Sequence, residues 1–577
     1  MKFSMFSDGL EIIRTTASRN IITEQLAQLY SQATPHEARI MTYLLLGQLR
    51  PAYQGATLFN IADRSMRSII AAIMEVDEKE IAHRMVEHGD LGTLLEQGSW
   101  HSEESLTLVQ VYHELEKLEK ISGTKSHELR VAMLKDIIAQ VSPRDAGLIV
   151  RMVLGKLRLG FSEMTIVDAL SWMVSGDKSH RHTIEEAYNV TADLGLIAEE
   201  VKRDGIDKLQ HHKPHVGIPV LPAAAERASS ADFIIKKIGA CTIEPKIDGF
   251  RLQIHVIRHN DSTQVLFFSR NLQPMQDMFP ELEAAMQTYP HNLIVEGEAI
   301  AYDKETDSCF SFQETVKRRR KHDIAEAAAS HPLRLTLFDI MLYNNTPCLE
   351  QPHSERFQLL EKVVSAFSRD AQELVTVIEH VAVTTSSEIE EYFNDQVSRG
   401  FEGIMAKRNN APYQAGKRNF TWMKLKYQEI GALEDTIDAV VLGYYHGHGK
   451  RAKFGIGACL LGVYDKAHDG FLTLAKLGTG LSDEEWKTLK KECDALAVDS
   501  KPHNVTCNKI VEPHVWVEPR LVLEVAADNI TKSPVHTAGL ALRFPRMVKF
   551  RFDKSASDAT STTEMHHLYE NQGKKIS

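Results

Sequence analysis

The stretch Thr242-Ile-Glu-Pro-Lys-Ile-Asp-Gly-Phe-Arg-Leu-Gln-Ile-His255 has a lysine two residues before an Asp-Gly pair, between runs in which apolar and polar residues alternate. The alternation predicts two strands, and Asp248-Gly249 predicts the turn that joins them. Lys246 would then stand at the mouth of a sheet, beside backbone able to approach a phosphate. An ordinary hairpin with an exposed lysine is the competing interpretation, and a lone Lys-x-Asp-Gly motif favours it. The rest of the chain has to decide whether Lys246 is a nucleophile.

Length and composition indicate a multidomain globular protein. A chain of 577 residues with 43% hydrophobic and 25% charged residues predicts three or four domains. There is no run of about eighteen apolar residues and no signal-peptide core. The six cysteines include no Cys-x-x-Cys pair, which argues against structural zinc and disulfides and favours a reducing compartment. The net charge of -11 argues weakly against nucleic acid, although local basic patches decide phosphate contact.

Residues 1 to about 205 are predicted to be helical, because proline is sparse and apolar residues recur every three or four positions. Ser142-Pro-Arg-Asp145 predicts a helix start, with Ser142 as N-cap. The helix that follows ends in Gly155-Lys-Leu-Arg-Leu-Gly160, a loop whose backbone could lie against a phosphate chain. A plain turn between helices is the interpretation that spacing alone favours. Residues 206–230 are rich in Pro and Gly and predict a linker, with solvated histidines rather than a metal site.

The remaining chain predicts two further domains. Strand-like and helical runs mix from about 231 to 430, and strands with one helix at 482–496 follow, which suits a small Greek-key barrel. A strand is predicted at 509–518, and the polar tail after Asp553 is expected to be partly frayed. The predicted fold class is multidomain α+β, with a helical domain (1–210), an α+β domain (211–430) and a barrel (431–577). The cationic run Lys317-Arg-Arg-Arg-Lys321 suits a solvated helix face, a localisation signal or a track along nucleic acid.

Several segments downstream of Lys246 carry the residue types that nucleotide chemistry needs. Val295-Glu-Gly-Glu-Ala-Ile300 is predicted to place two carboxylates at a strand end, and Glu402-Gly-Ile-Met-Ala-Lys407 supplies another carboxylate and a lysine. In Trp422-Met-Lys-Leu-Lys426 the two lysines would point to the same face of a strand. Ser269-Arg-Asn271 and Arg551-Phe-Asp-Lys554 add cations. Taken singly, each segment is better explained by a surface ion pair or a charged strand end.

Taken in order, these segments resemble the motifs of the covalent nucleotidyltransferase superfamily, and more narrowly those of the archaeal and eukaryotic-type ATP-dependent DNA ligases. The ordered match runs from Lys246-Ile-Asp-Gly to Arg551-Phe-Asp-Lys, and segments 476–480 and 539–546 look like ligase barrel segments. The helical third looks like the DNA-binding domain of large ligases, with a looser match. The resemblance therefore implies a DNA-binding domain, an adenylation domain and an OB-fold barrel, and it covers nearly the whole chain.

The resemblance implies a ligase that seals 5′-phosphate/3′-hydroxyl nicks in duplex DNA in three steps, during replication, repair and recombination. Lys246 attacks the α-phosphate of ATP and releases pyrophosphate, AMP passes to the 5′-phosphate at the nick, and the 3′-hydroxyl displaces it. A lysine is protonated at neutral pH, so attack requires desolvation or nearby positive charge. Mg²⁺ prefers carboxylates and phosphate oxygens, which suits Glu298 and Glu402 as its ligands.

The remaining roles come from the resemblance, motif by motif. At the base, Glu244 would read the adenine edge and Phe338, at a strand end, would stack on the adenine ring. Sugar or phosphate oxygens would be held by Arg251 and Arg270, and the α-phosphate would be contacted by Lys424 and Lys426, with Arg418 nearby. Glu298 would join the ATP site, and pyrophosphate would be oriented by Arg551 and Lys554. Arg158 and Phe312 would contact DNA, Phe312 as an apolar wedge in the minor groove or else as a core residue.

One departure concerns DNA distortion, because Cys459 stands where nuclear ligases are expected to carry a second wedge phenylalanine. The predicted partner is nicked duplex DNA bound by a monomer, and a sliding clamp stays open although no clear clamp peptide is present. The expected place is the cytoplasm of a prokaryote, near the nucleoid, with the nucleus as the alternative. A capping guanylyltransferase or RNA ligase, or a catalytically dead nucleic-acid scaffold, are the competing functions.

Overall fold

The computed structural model describes residues 1–100, 106–157, 159–260, 262–303, 309–310, 312–318, 324–426, 436–447 and 449–571. Two compact units share these residues, one made of 1–82 and 91–425 and the other of 83–90 and 426–577. Within the described residues, no helix combines the length and the apolar character needed to cross a bilayer.

The first part of the chain is helical, as predicted. Ser142 caps α9, because its side chain accepts a hydrogen bond from the Asp145 amide and Pro143 occupies the first helical position. The apolar faces of these helices form the core, with α12 packed on α3, α10 on α2 and α6 on α9. The helices are α1 Phe3–Thr15, α2 Arg19–Gln32, α3 Pro35–Leu45, α4 Asp63–Met74, α5 Glu78–His88, α6 Leu91–Glu96, α7 Leu108–Lys120, α8 Ser126–Ala139, α9 Pro143–Val153, α10 Glu163–Ser175, α11 Arg181–Val190 and α12 Leu194–Asp204.

The middle of the chain, which we call the two-sheet region, mixes strands and helices. Its elements are β1 Ala224–Arg227, α13 Ala231–Ile238, β2 Cys241–Pro245, β3 Phe250–Arg258, β4 Thr263–Ser269, α14 Pro280–Gln287, β5 Leu293–Ala301, α15 Phe312–Val316, α16 Ile324–Ser330, β6 Leu333–Tyr343, β7 Thr346–Pro347, α17 His353–Ser365, α18 Arg369–Leu374, β8 Val375–Val377, β9 Val381–Val383, α19 Ser386–Ser398, β10 Gly403–Arg408 and β11 Arg418–Lys426. One sheet has the order β1-β11-β10-β2-β9, and the other has the order β4-β3-β5-β6-β7 with β8 on β6.

The predicted hairpin around Lys246 is wrong in one respect. Both strands exist, but β2 pairs with β9 and β10, whereas β3 pairs with β4 and β5. Residues 246–249 therefore carry the chain from one sheet to the other rather than around a hairpin turn. Gly249 permits this crossing, because a Cβ at that position would lie 2.4 Å from the carbonyl oxygen of Ala299.

Three apolar cores hold the two sheets in place. One lies between the second sheet and α14, α17 and α18, and another lies between the first sheet and α13 and α19. The third contains Ile294, Phe338 and Met341 from the second sheet and Trp422 from the first. The sheets therefore face each other across this third core, and the 246–249 crossing connects them.

The C-terminal part, which we call the barrel region, is mainly strand, as predicted. Its elements are β12 Ile437–Tyr445, β13 Ala458–Asp465, β14 Gly470–Leu477, α20 Asp483–Ala495, β15 Ala497–Val498, β16 Val505–Thr506, β17 Val515–Val517, β18 Val522–Ala526, β19 Asn529–Lys532, β20 Leu540–Arg543, β21 Arg546–Phe550 and α21 Thr562–Asn571. The main sheet has the order β15-β17-β12-β13-β14-β16, and β18 joins β12 to β21.

One prediction for the barrel region is wrong. The strand expected at 509–518 shrinks to β17 after a 3₁₀ turn at Lys509–Val511, because Pro513 between them offers no N–H to a ladder. The tail after Asp553 contains a helix that was not predicted, α21, whose Met565 is buried in the barrel core. The missed signal is a capping box, in which the side chains of Ser561 and Glu564 each accept a hydrogen bond from the other's backbone amide.

Candidate active site

Lys246 lies at the crossing between the two sheets, with about a fifth (19%) of its side chain exposed. Its Nζ is 2.5 Å from Oε2 of Glu402. The backbone fixes this pair, because the Lys246 amide donates to the carbonyl of Gly403 and the Glu402 amide donates to the carbonyl of Lys246. These bonds extend the β2–β10 ladder, so the predicted lysine and a predicted carboxylate meet although 155 intervening residues separate them in the chain.

The two carboxylates of β5 do not lie at a strand end, as predicted, but in the middle of the strand. The prediction failed because β5 is paired on both sides, with β3 and β6. Glu298 accepts a hydrogen bond from the Gly249 amide at 3.1 Å, which ties it to the Lys246 crossing. Burial raises the pKa of the Glu298 carboxyl to about 7, against the lowering effect of Lys246 and Arg251. Glu298 is therefore a poorly hydrated acid beside the predicted nucleophile.

Arg251 is held by protein groups. Its Nη2 donates to both carboxylate oxygens of Glu296, at 2.9 and 3.1 Å, and its Nη1 donates to the carbonyl of Ala223. The Tyr413 hydroxyl donates to the same Glu296 carboxylate at 2.8 Å. Arg251 is predicted to hold sugar or phosphate oxygens, whereas in the structure its guanidinium is bonded to Glu296 and Ala223 between the two sheets.

Phe338 was predicted at a strand end, but it lies within β6, whose pairing runs on to Tyr343. Its ring meets the Trp422 ring edge-on at 6.2 Å between centroids. The guanidinium carbon of Arg251 and the ammonium of Lys407 lie 5.6 and 4.9 Å from the Phe338 centroid. The aromatic rings therefore form an electron-rich surface between the sheets, bordered by two cations.

Behind this surface lies a buried row of charges that the sequence alone did not predict as a network. Lys407 donates to Glu244 Oε2 at 2.8 Å and to the carbonyl of Phe338 at 3.0 Å. Burial raises the pKa of the Glu244 carboxyl to about 7 although Lys407 lowers it. Glu244 was predicted to read adenine, yet the structure leaves it only 1% exposed and gives its Oε1 no hydrogen-bond partner.

The row continues at Asp339, where Arg356 on α17 donates twice, at 2.7 and 3.0 Å. Burial opposes ionisation of Asp339, but the charge and hydrogen bonds of Arg356 outweigh it and lower its pKa to about 2. His353, at the start of α17, lies 3.8 Å from Glu244 and 4.0 Å from Asp339. A lone arginine and a lone histidine in a helix carry no sequence signal for such a place.

The remaining predicted cations of the two-sheet region are half-buried or exposed. Lys424 and Lys426 share one face of β11, because Met423 and Leu425 between and beside them are buried while both lysines are half-buried. Arg418 is exposed at the first residue of the same strand. Arg270 is exposed directly after β4.

Some predicted DNA contacts fall outside the residues that the structure describes. These are Arg158, the side chain of Phe312 and the run 319–321 of the cationic block. Arg318 of that block is described, and it is buried against Glu281 at 2.5 Å. The prediction of a solvated or DNA-facing cation is therefore wrong for Arg318.

In the barrel region, Arg551 and Lys554 both bind Asp438, at 3.1 and 2.6 Å. Cys459 is fully buried in the barrel core, and burial raises the pKa of its thiol. The Cys459 side chain therefore faces no surface and offers DNA no contact. One exposed aromatic residue of this region that was not predicted as a DNA contact is Phe544, 63% exposed with a φ of 51° between β20 and β21. Its signal was an apolar residue among arginines, in Arg543-Phe-Pro-Arg546.

A lysine beside two carboxylates, next to a buried aromatic surface between two sheets, defines a covalent nucleotidyltransferase. Three family models match the chain, namely the DNA ligase N terminus over residues 2–171, the ATP dependent DNA ligase domain over 222–426 and the ATP dependent DNA ligase C terminal region over 452–554. The chain belongs to the family of ATP-dependent DNA ligases, so it is an enzyme that uses ATP and seals nicks in DNA through an enzyme–AMP intermediate. Replication and repair are typical settings of this family.

Relatives match over the full length. A probable DNA ligase of Dictyoglomus turgidum is 41% identical over 585 residues, covering 100% of this chain and 98% of the relative. A DNA ligase of Nitrosopumilus maritimus is 34% identical over 593 residues, covering 100% and 99%. The solved structure titled Pmar-Lig_PreS3 has a TM-score of 0.57 at 18% identity, covering 94% of this chain and 99% of that one, which supports the fold alone.

Proposed function

We propose that Lys246 is the residue that takes AMP from ATP, and that the crossing between the two sheets is where it does so. The observation that carries the proposal is the Lys246–Glu402 ion pair at 2.5 Å, beside Glu298 and the Phe338–Trp422 surface. An ammonium cannot attack a phosphate, so the amine has to leave Glu402 and lose its proton before it reacts. The cation that accompanies the nucleotide would compete with Lys246 for the Glu402 carboxylate, which would release the amine.

We propose Glu298 and Glu402 as the ligands of Mg²⁺. Among the described residues no group of three His, Cys, Asp or Glu side chains forms a ready metal site. Two carboxylates nevertheless suit Mg²⁺, which keeps water and phosphate oxygens as its other ligands. The burial that raises the pKa of Glu298 would be offset by a cation, which favours the ionised carboxylate. When bound, the metal would supply positive charge to the phosphate oxygens.

We assign the base to the aromatic surface. Phe338 would stack on adenine, and Glu244 would accept a hydrogen bond from the adenine 6-amino group through Oε1, the buried oxygen that lacks a partner. A buried acceptor without a donor costs free energy, so a ligand that provides one is a physical reason for its presence. Arg251 would act indirectly, because its bonds to Glu296 hold it beside the Phe338 ring.

The phosphates would bind to cations at the edges of the site. We propose that Lys424, Lys426 and Arg418 contact the α-phosphate, and that Arg270 contacts sugar or phosphate oxygens. Arg551 and Lys554 would orient pyrophosphate, which requires them to exchange Asp438 for phosphate oxygens.

We propose three domains, at 1–210, 211–430 and 431–577, that act as a monomer on nicked duplex DNA in the cytoplasm of a prokaryote. Grip on the DNA would come from contacts to the DNA backbone and from its shape, with Arg158 and Phe312 as contacts. To these we add Phe544, because it is the exposed ring of a turn that also carries Arg543 and Arg546. An aromatic beside cations suits nucleic acid.

The test is self-labelling with α-labelled ATP and Mg²⁺, with GTP and NAD in parallel. Lys246→Ala should lose the covalent label by at least about a thousandfold, because no other group replaces a covalent nucleophile. The same variant should still seal a pre-adenylated nick, since the lysine bonds to AMP only in the first step. Lys236→Ala, at an exposed lysine of α13, is the matched control and should label normally. Labelling of Lys246→Ala at the wild-type level would refute the proposal.

A further inference from the structure

Three polar atoms in one buried place lack hydrogen-bond partners. They are Oε1 of Glu244 and both ring nitrogens of His353, a residue that is only 2% exposed. His353 Nε2 lies 3.8 Å from Glu244 Oε1, slightly beyond hydrogen-bond range. Native structures leave few buried polar groups unpaired, and each such group calls for an explanation. If Nε2 of His353 moved less than about 1 Å toward Oε1 of Glu244, the two atoms would be within hydrogen-bond distance.

The groups around His353 decide which nitrogen carries the proton. Lys407 on β10, Arg356 on α17 and His380 face the imidazole, and with burial they lower its pKa to about 3, so the ring is neutral with one N–H. Asp339 on β6 already accepts two hydrogen bonds from Arg356 and one from the Ile340 amide. The acceptor that still lacks a donor is Glu244 Oε1.

Glu244 on β2 needs a second donor for a clear reason. Lys407 occupies its Oε2, and its charge also reaches Asp339 on β6 and Tyr392 on α19. A buried carboxylate with one donor is readily protonated, and a protonated acid accepts fewer hydrogen bonds. One carboxylate oxygen has two lone pairs, so Oε1 can accept from an imidazole and from a ligand together.

We propose that His353 is a positioning residue for nucleotide loading, whose Nε2–H donates to Glu244 Oε1 and holds that carboxylate ionised and oriented toward the 6-amino group of adenine. This inference rests on the proposed assignment of Glu244 to the adenine edge. It predicts that His353 controls the preference for a 6-amino purine without touching the nucleotide. It also predicts that the preference weakens at low pH when His353 is replaced by an apolar residue.

The experiment measures equilibrium binding in a Lys246→Ala background, where no covalent step interferes. ATP is compared with purine riboside 5′-triphosphate, which lacks the 6-amino group, at pH 6 and pH 8.5. The parent should prefer ATP by on the order of tenfold, the value of one hydrogen bond to a charged acceptor. His353→Leu should reduce the preference to about twofold or less at pH 6 and recover part of it at pH 8.5.

Two further variants separate positioning from packing. His353→Gln has an amide that reaches about as far as Nε2, so it should keep the ATP preference, whereas the shorter His353→Asn should lose it. If His353→Leu fails to fold in a thermal melt, the Gln and Asn pair carries the test alone.

The inference is overturned if the parent shows no preference, if apolar and Asn variants retain the parental ratio at both pH values, or if every variant weakens both nucleotides equally. The assignment of Lys246 fails on a different result, namely label on Lys246→Ala. Because that result does not depend on the nucleotide ratio, the two failures are distinguishable.

Discussion

The pocket between the two sheets and the β20–β21 turn of the barrel region both carry cations, but they hold them differently. In the pocket, Lys407, Arg251 and Arg356 are each bonded to a largely buried carboxylate within 3 Å. At the turn, Arg543 is exposed and its guanidinium carbon lies 5.4 Å from the centroid of the exposed Phe544 ring.

The difference teaches what each set of charges is for. A buried pair is expensive to desolvate and strongly coupled, so it fixes geometry, and losing one partner leaves a charge that water cannot reach. Exposed cations interact weakly with their neighbours, are screened by salt and remain available to phosphates. Substitutions in the pocket should therefore change stability and pH response, and substitutions at the turn should change DNA binding.

The largest effect is expected from Arg356→Leu. Loss of the guanidinium leaves the Asp339 carboxylate buried without its two donors, which should lower the free energy of unfolding of the two-sheet region by about 3–5 kcal/mol. Because the folded pKa of Asp339 is about 2, the stabilisation is present above its ordinary value of 3.8 and is lost as the pH falls toward 2. Denaturant melts at pH 7 and pH 3 would measure both effects.

The control for Arg356→Leu is the exposed pair Lys487–Glu484 on α20. Lys487→Ala should leave the free energy of unfolding almost unchanged, as is usual for exposed ion pairs. If the two substitutions cost the same, the contrast between buried and exposed charges is wrong.

The structure also explains which sequence predictions succeeded. Alternating residues located β3, β4 and β12 to β14, and the ordered motifs brought Lys246 and Glu402 together, because both signals are carried by local residues or by family order. The errors in the two-sheet region concern partners distant in the chain, whereas those in the barrel region concern local signals, Pro513 and the capping box of α21. A hairpin and a crossing have the same local pattern, and a strand end depends on pairing, which is why Glu298 and Phe338 were misplaced. Nothing local announced Arg356 or His353.

A smaller effect is expected from Glu298→Gln, which tests whether a single buried carboxylate makes stability depend on pH. Burial raises the pKa of Glu298 from 4.5 to about 7, so between these values the native state binds a proton more tightly than the unfolded chain. Its contribution to stability is therefore present below pH 4.5 and is lost as the pH rises through 7.

Glu298→Gln removes this dependence, and from pH 5 to pH 8 the variant should gain about 2–3 kcal/mol relative to wild type. Self-labelling should nevertheless fall by about a hundredfold or more, because a proposed metal ligand is lost. Glu484→Gln, at an exposed glutamate, should alter neither the pH dependence nor labelling. An unchanged pH profile of stability in Glu298→Gln would contradict the burial argument.

The smallest effect is expected at the turn, from Phe544→Ala. The exposed ring makes few contacts within the barrel region, so its loss should leave the melting temperature unchanged while weakening nicked-duplex binding by about tenfold. Arg543→Gln should instead reduce the slope of log K against log salt by about one, the value of one phosphate contact. Val498→Ala, a partly exposed apolar residue of the same region, is the control. If Phe544→Ala destabilised the fold without weakening DNA binding, the ring would serve stability instead of DNA binding. The proposed difference between the buried pocket and the exposed turn would then be wrong.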